Sequence, residues 1–375
     1  MNECRGSGFW VDQQDPLLKP DVERLLAAFH KEEGDRVPNY EPLIMHRNVE
    51  YIMGRPMPRL NSWDLAPHDQ VELCQRLCID AMTIPVGWSP WSEARDIHDS
   101  INPVWIYDYV SSHAIDFEKT TIRDWDDLQK LKVPGQREIE EQVRLLKTYM
   151  KATEGTKIGV VPCIVCDVVF AGYSVFGIAN FSKKLFTDRR LIEFFFDLYT
   201  DVTIKFNEAF AELDIPFVYF NGDPCDSHGT IIPPKLMEEL WFPRAEEMIK
   251  PYKRKGIPIM CHSCGNLTQL IPMLIDLGIV AIHPVQPSCN DIYALKRRYG
   301  DDICLIGNID IAGPLAFGTP QEVERDVKEH IYNLAEGGGY VCASSHSITD
   351  MIPPENFIAM TKAIQKYGRF PIRKK

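Results

Sequence analysis

The chain has 375 residues, 45% of them hydrophobic and 25% charged, and carries a net charge of −12 from 41 basic and 53 acidic side chains. That excess of carboxylates, with no basic block longer than Arg373-Lys374-Lys375, argues against nucleic acid or an anionic membrane as a partner. No apolar stretch nears the roughly 20 residues of a membrane span, the first residues lack the plan of a secretory signal, and eleven scattered cysteines read as reduced thiols, so a cytoplasmic protein is expected.

In chain order, an N-terminal segment (residues 1–36) with a helical stretch at 20–31 comes first. Strand-like apolar runs follow at 37–43, 81–87, 157–165, 217–222, 257–264, 280–285, 303–309 and 340–345, eight in all. Residues 104–110 alternate like a strand, and 114–122 could pair with them; with a short helix at 125–131 they read as a hairpin insertion spanning 104–133. Helical periodicity marks 233–252, where Pro243 should kink the axis, and then 267–277, 292–299, 320–336 and 355–367. Regular β-α alternation from residue 217 onward argues for a parallel sheet, and eight strands for closure into a (β/α)8 TIM barrel. No linker or internal repeat divides the chain, so one domain over 1–375 is expected.

Barrels keep their chemistry at the C-terminal ends of the strands. Those ends bring Glu41, then Asp223 and His228, then His262 with Cys264, then His283, Asn308 and His346. His262-Ser263-Cys264-Gly265-Asn266 closes the run 257–261 and carries the sharpest signal. Residues two apart on a strand share a face, so an imidazole and a thiol can meet in one cavity, a donor pair suited to zinc. His346 or Cys342 would be the third ligand and Glu41 a displaceable fourth. The plainer reading is that Cys264 packs and His262 bonds a substrate or a backbone group. Asp223 and His228 are candidate acids, and Tyr219, Asn221, Trp88, Trp105, His283 and Asn308 candidate substrate contacts. Cys163-Ile164-Val165-Cys166 reads as buried thiols rather than a redox pair, Cys74 and Cys78 as packing residues of a helix, and Gly337-Gly338-Gly339 as a turn.

Taken together, His262-Ser263-Cys264-Gly265-Asn266, His283-Pro284, Gly307-Asn308-Ile309-Asp310, Gly318-Thr319-Pro320, Ser345-His346-Ser347-Ile348 and Pro354-Glu355-Asn356 resemble the uroporphyrinogen decarboxylase superfamily, most densely from residue 217 to the C-terminus. The resemblance implies a (β/α)8 barrel and either tetrapyrrole decarboxylation or corrinoid-linked methyl transfer. The decarboxylases carry an Arg-rich signature after the first strand; here that stretch reads Asn39-Tyr40-Glu41-Pro42-Leu43. A polycarboxylate facing Glu41 without arginines would be repelled.

The methyltransferase branch is similar in its His-x-Cys zinc pair. Aligning on Pro354-Glu355-Asn356 places His346 where that branch has a cysteine ligand. The resemblance therefore implies an enzyme using Zn²⁺ to move a methyl group from a small methylated substrate to the Co(I) corrinoid of a separate corrinoid protein. An aromatic group near the mouth and a more electrophilic His-Cys-His site favour a methoxylated aromatic substrate, an O-demethylation. A methylcorrinoid:thiol methyltransferase and a non-catalytic tetrapyrrole-binding relative are the alternatives, and a homodimer is allowed.

Overall fold

The computed structural model describes residues 9–11, 15–57, 61–90 and 122–373. The expected hairpin strands and Trp105 lie outside them, whereas the short helix behind the hairpin is present as Trp125–Gln129. The chain divides into two compact units. The first comprises Met1–Ile84, Thr148–Val161 and Val280–Lys375, the second Pro85–Lys147 and Pro162–Ile279. Among the described residues the main sheet has seven strands: β1 (Ala81–Pro85), β2 (Gly159–Val165), β3 (Val218–Asn221), β4 (Ile259–His262), β5 (Ala281–His283), β6 (Cys304–Ile306) and β7 (Tyr340–Val341). Strand and helix alternate as in a (β/α)8 barrel, the fold class of the chain.

From Pro162 on, β2 belongs to the second unit, where it, β3 and β4 are parallel neighbours, with Val165 opposite Asn221 and Asn221 opposite His262. Every residue of the three strands is buried, which is why they read as nearly unbroken apolar runs rather than alternating ones. Helix Val168–Phe176 is buried on all sides, and Arg189–Phe210 presents Phe195, Phe196, Tyr199, Phe206 and Phe210 inward. The kink expected at Pro243 takes the form of a π turn, Met237–Trp241, leading into helix Phe242–Lys255. A proline lacks the N–H that would continue the regular ladder, and the turn before it widens.

In the first unit β5, β6 and β7 are parallel, Ile282 opposite Leu305 and Ile306 opposite Val341. The strand expected at 37–43 is not regular. It forms isolated bridges, Asn39 to Cys342 and, just beyond, Ile44 to Ile348. Pro38 and Pro42 remove the donors a ladder needs. The segment still holds a stave's place: Cys342 donates to the Pro38 carbonyl and Asp80 to that of Asn39. Behind it, the fully buried carboxylate of Asp80 takes hydrogen bonds from Arg24 at 3.1 Å, Arg36 at 2.7 Å and the Asn39 N–H at 3.0 Å. No helix among the described residues is long and apolar enough to cross a membrane.

Candidate functional site

In the second unit β4 ends at His262, earlier than the run 257–264 suggests, so Cys264 stands in the following loop. The two side chains meet through a turn rather than a pleat. The Cys264 N–H donates to Asp223 Oδ1 at 2.7 Å, and Gly265 turns the chain at φ +83°. A Cβ on Gly265 would stand 2.3 Å from the Asp226 carbonyl oxygen, so only glycine lets the short hairpin at 225–230 lie against this loop. Asn266 closes the contact by donating to the same carbonyl at 2.7 Å.

His262 Nε2 lies 3.5 Å from Cys264 Sγ and 3.7 Å from Asp223 Oδ1, with the Tyr219 ring 5.9 Å from the imidazole. Burial pushes the His262 pKa down to about 3, so the ring is neutral and offers a lone pair. A tetrahedral ion holding nitrogen at about 2.0 Å and sulfur at about 2.3 Å separates those donors by roughly 3.5 Å. The pair fits zinc. The same spacing serves a thiol–imidazole hydrogen bond, and the two readings share one geometry. Within the second unit, His262 and Cys264 thus offer two of the donors a metal ion needs.

The other expected residues are placed as follows. Asn221 ends β3, 8% exposed, and Tyr219 precedes it on the same face. Asp223 is half-buried, its carbonyl accepting from Tyr173 Oη at 3.0 Å. His228 sits in the hairpin turn with 92% of its side chain exposed, its ring near Ser227 and Asp226, and nothing in that setting prepares it as a buried acid. Trp88 stacks on Tyr199, ring centroids 5.8 Å apart, as a packing residue.

In the first unit both oxygens of Glu41 are engaged by Ser344. Glu41 Oε1 accepts from the Ser344 N–H at 2.7 Å, its Oε2 lies 2.6 Å from Ser344 Oγ, and burial raises its pKa to about 8. Ser344 Oγ also bonds the His346 carbonyl, which ties Glu41 to the loop bearing that histidine. His346 is half-buried in this loop, whereas the Cys342 thiol is fully enclosed and burial drives its pKa far upward. His283 is 1% exposed at the end of β5. The Asn308 amide is engaged within the protein, donating to the Val285 carbonyl at 2.6 Å and meeting His330 Nε2 at 2.9 Å.

One residue escaped the sequence reading. Asp167 stands two residues beyond β2 and caps helix Val168–Phe176 by accepting the Val169 N–H at 2.9 Å. Burial raises its carboxyl to about 7, and its side chain lies so close to Gly222 that a Cβ there would stand 2.3 Å from its own. An acidic residue directly behind an apolar run is the signal that marked Asp223, and it holds equally for Asp167.

Comparison with known proteins adds relationship to this geometry. The family model described as uroporphyrinogen decarboxylase (URO-D) matches residues 107–367. A methylated-thiol--coenzyme M methyltransferase of Methanosarcina mazei is 22% identical over 207 residues, 55% of this chain and 53% of that protein. The methylcobamide:CoM methyltransferase MtbA of the same organism is 23% identical over 186 residues, 49% of this chain and 52% of the relative. The match thus spans about half the length of these two relatives. A uroporphyrinogen decarboxylase of Neisseria meningitidis is 22% identical over 361 residues, covering 94% of this chain and 95% of the other. Among solved structures, a methyltransferase from Methanosarcina mazei superposes with a TM-score of 0.66 at 16% identity, over 92% of this chain and 98% of its own.

Proposed function

The chain belongs to the uroporphyrinogen decarboxylase family, and from that premise we propose that it is a corrinoid-dependent methyltransferase with zinc held by His262 and Cys264, His346 being the third ligand that the sequence motif suggests. The observation carrying this reading is the pairing of a neutral imidazole and a half-buried thiol at 3.5 Å, with the Asp223 carboxylate beside both. Two relatives named as coenzyme M methyltransferases support the branch, and the absence of arginines from 37–45 speaks against a polycarboxylate substrate.

In the proposed reaction a small methylated substrate, a methoxylated aromatic, gives its methyl to the Co(I) corrinoid of a separate protein. The C–O bond breaks as the methyl–cobalt bond forms, and the departing oxygen takes up a proton. A bound zinc ion would supply Lewis acidity toward the departing oxygen. Asp223 fixes the Cys264 backbone and stands beside His262, the role of an orienting partner. Burial keeps His262 unprotonated, so no proton competes with a metal ion for the ring nitrogen. Tyr219 and Asn221 on β3 stand beside β4 and offer polar groups to a substrate.

A second reading is methyl exchange with a thiol, favoured by the activity for which the methylated-thiol relative is named. Metal analysis of the purified protein beside its His262→Ala and Cys264→Ala variants tests the site: about one zinc per chain is expected, and near none in the variants. Equal zinc in all three would remove the proposed ligands. Incubation with Co(I) corrinoid protein and either methoxyaromatics or methylated thiols then separates the substrates; demethylation of neither class would defeat the reading.

A further inference from the structure

His330 lies on helix Pro320–Leu334 in the first unit, 8% exposed, with both ring nitrogens engaged. Nδ1 stands 2.9 Å from the Asp326 carbonyl oxygen and 3.3 Å from Asp326 Oδ1. Nε2 stands 2.9 Å from Asn308 Oδ1. The orientation of that amide is fixed, because Asn308 Nδ2 donates to the Val285 carbonyl at 2.6 Å. Turning the amide over would set its oxygen against another carbonyl oxygen. Both imidazole nitrogens therefore face acceptors, and a neutral ring has only one N–H to give.

We infer that His330 is a buried imidazolium acting as a positioning residue, which locks the Asn308 amide and through it the backbone at Val285. Val285 has φ +54°, a left-handed conformation that a β-branched residue adopts only when its surroundings hold it. It directly follows His283 and Pro284 at the C-terminal end of β5. The chain of bonds runs from Asp326 through His330 and Asn308 to this strained residue.

The groups facing the ring favour its charge. Asp326 and Glu329 come from its own helix, and the Tyr293 ring, from helix Ile292–Tyr299, lies 5.6 Å away. Burial raises the Tyr293 hydroxyl to about 12 and keeps it neutral. Burial alone would lower the His330 pKa, but the bond to Asp326 and the charges of Asp326 and Glu329 outweigh it, and the net direction is upward. Asp326 also lines an open cavity of about 480 Å³ with Glu322, Arg325, Glu329 and Phe317, which gives the proton a route to solvent. When the ring loses a proton, one nitrogen faces an acceptor without a hydrogen. The Asn308 amide then turns, and the bond to Val285 breaks.

This inference stands apart from the methyl-transfer reading and is tested without any assay of activity. Ring-nitrogen NMR of the full chain labelled with ¹⁵N-histidine reads the state of His330 directly. The expected spectrum at pH 7 has both nitrogens protonated, with loss of one proton at higher pH accompanied by movement of the Asn308 side-chain amide signals. Asn308→Asp, which sets a carboxylate against Nε2, assigns the resonance and should raise its midpoint by about one unit. A neutral ring with one protonated nitrogen at pH 7, a midpoint unmoved in Asn308→Asp, or Asn308 signals indifferent to the titration would overturn it. The wild-type spectrum alone decides the charge, should the variant fail to fold.

Discussion

Asp223 Oδ1 accepts the backbone N–H of Cys264 at 2.7 Å, so a carboxylate from the loop after β3 sets the angle at which the thiol beyond β4 is presented. Removing it should disturb the metal before the fold. Asp223→Ala is expected to weaken zinc binding about 10–100-fold, the range found for residues that orient a ligand. Asp223→Asn keeps an acceptor and should fall between the two. Competition with a chromophoric chelator measures this; wild-type affinity in Asp223→Ala would show that the contact orients nothing.

Gly265 and Gly155 separate steric clash from backbone strain. Both have positive φ, +83° and +79°, but a Cβ on Gly155 meets nothing within 4 Å, whereas on Gly265 it would meet the Asp226 backbone. Gly155→Ala should cost about 1 kcal/mol from conformation alone. Gly265→Ala should cost at least 1–2 kcal/mol more, roughly, because backbone must move. Urea denaturation of the two variants gives the comparison, and equal losses would mean that the hairpin yields freely.

Asp167 makes stability depend on pH with a sign opposite to that of a salt-bridged carboxylate. Its folded pKa is raised from 3.8 to about 7, so between these values the unfolded chain ionises while the folded one stays protonated. Stability from this group therefore declines as pH rises from about 4 to about 7 and then levels off. Asp167→Asn retains the capping acceptor and removes the charge. The variant should match wild type near pH 4 and exceed it at pH 8, with an upper bound of roughly 4 kcal/mol at about 1.4 kcal/mol per unit. Melting curves across that range test it; a constant difference at all pH values would place the raised pKa in error.

Asp80 anchors the segment that carries Glu41, through Asn39. Its carboxylate is shared by Arg24 and Arg36, both buried, so Asp80→Ala leaves two guanidinium groups without their common partner. A loss of about 3–5 kcal/mol is expected, as for breaking a buried ion pair from one side. Chemical denaturation measures it. A loss under 1 kcal/mol would indicate that water reaches the arginines.

The barrel was legible because parallel strands buried on both faces leave apolar runs that punctuation by glycine and proline makes countable. His262 and Cys264 were legible for a local reason: the motif carries both donors within three residues. What stayed hidden depended on partners distant in sequence. Ser344 absorbs both oxygens of Glu41, and His330 engages Asn308, across separations of 303 and 22 residues. No local pattern announces that a polar rim residue is already satisfied. The stave at 37–43 misled for another reason, since hydrophobicity marks burial and cannot report that two prolines have removed the hydrogen-bond donors.

Among the described residues every cysteine is enclosed except Cys264 and Cys289. A bulky maleimide dye applied to the folded protein would find two anchoring points among them, and with Cys4 and Cys289 both replaced by serine the one beside His262 remains. Fluorescence from a label at that position would report on whatever approaches His262, with no knowledge of the natural substrate required.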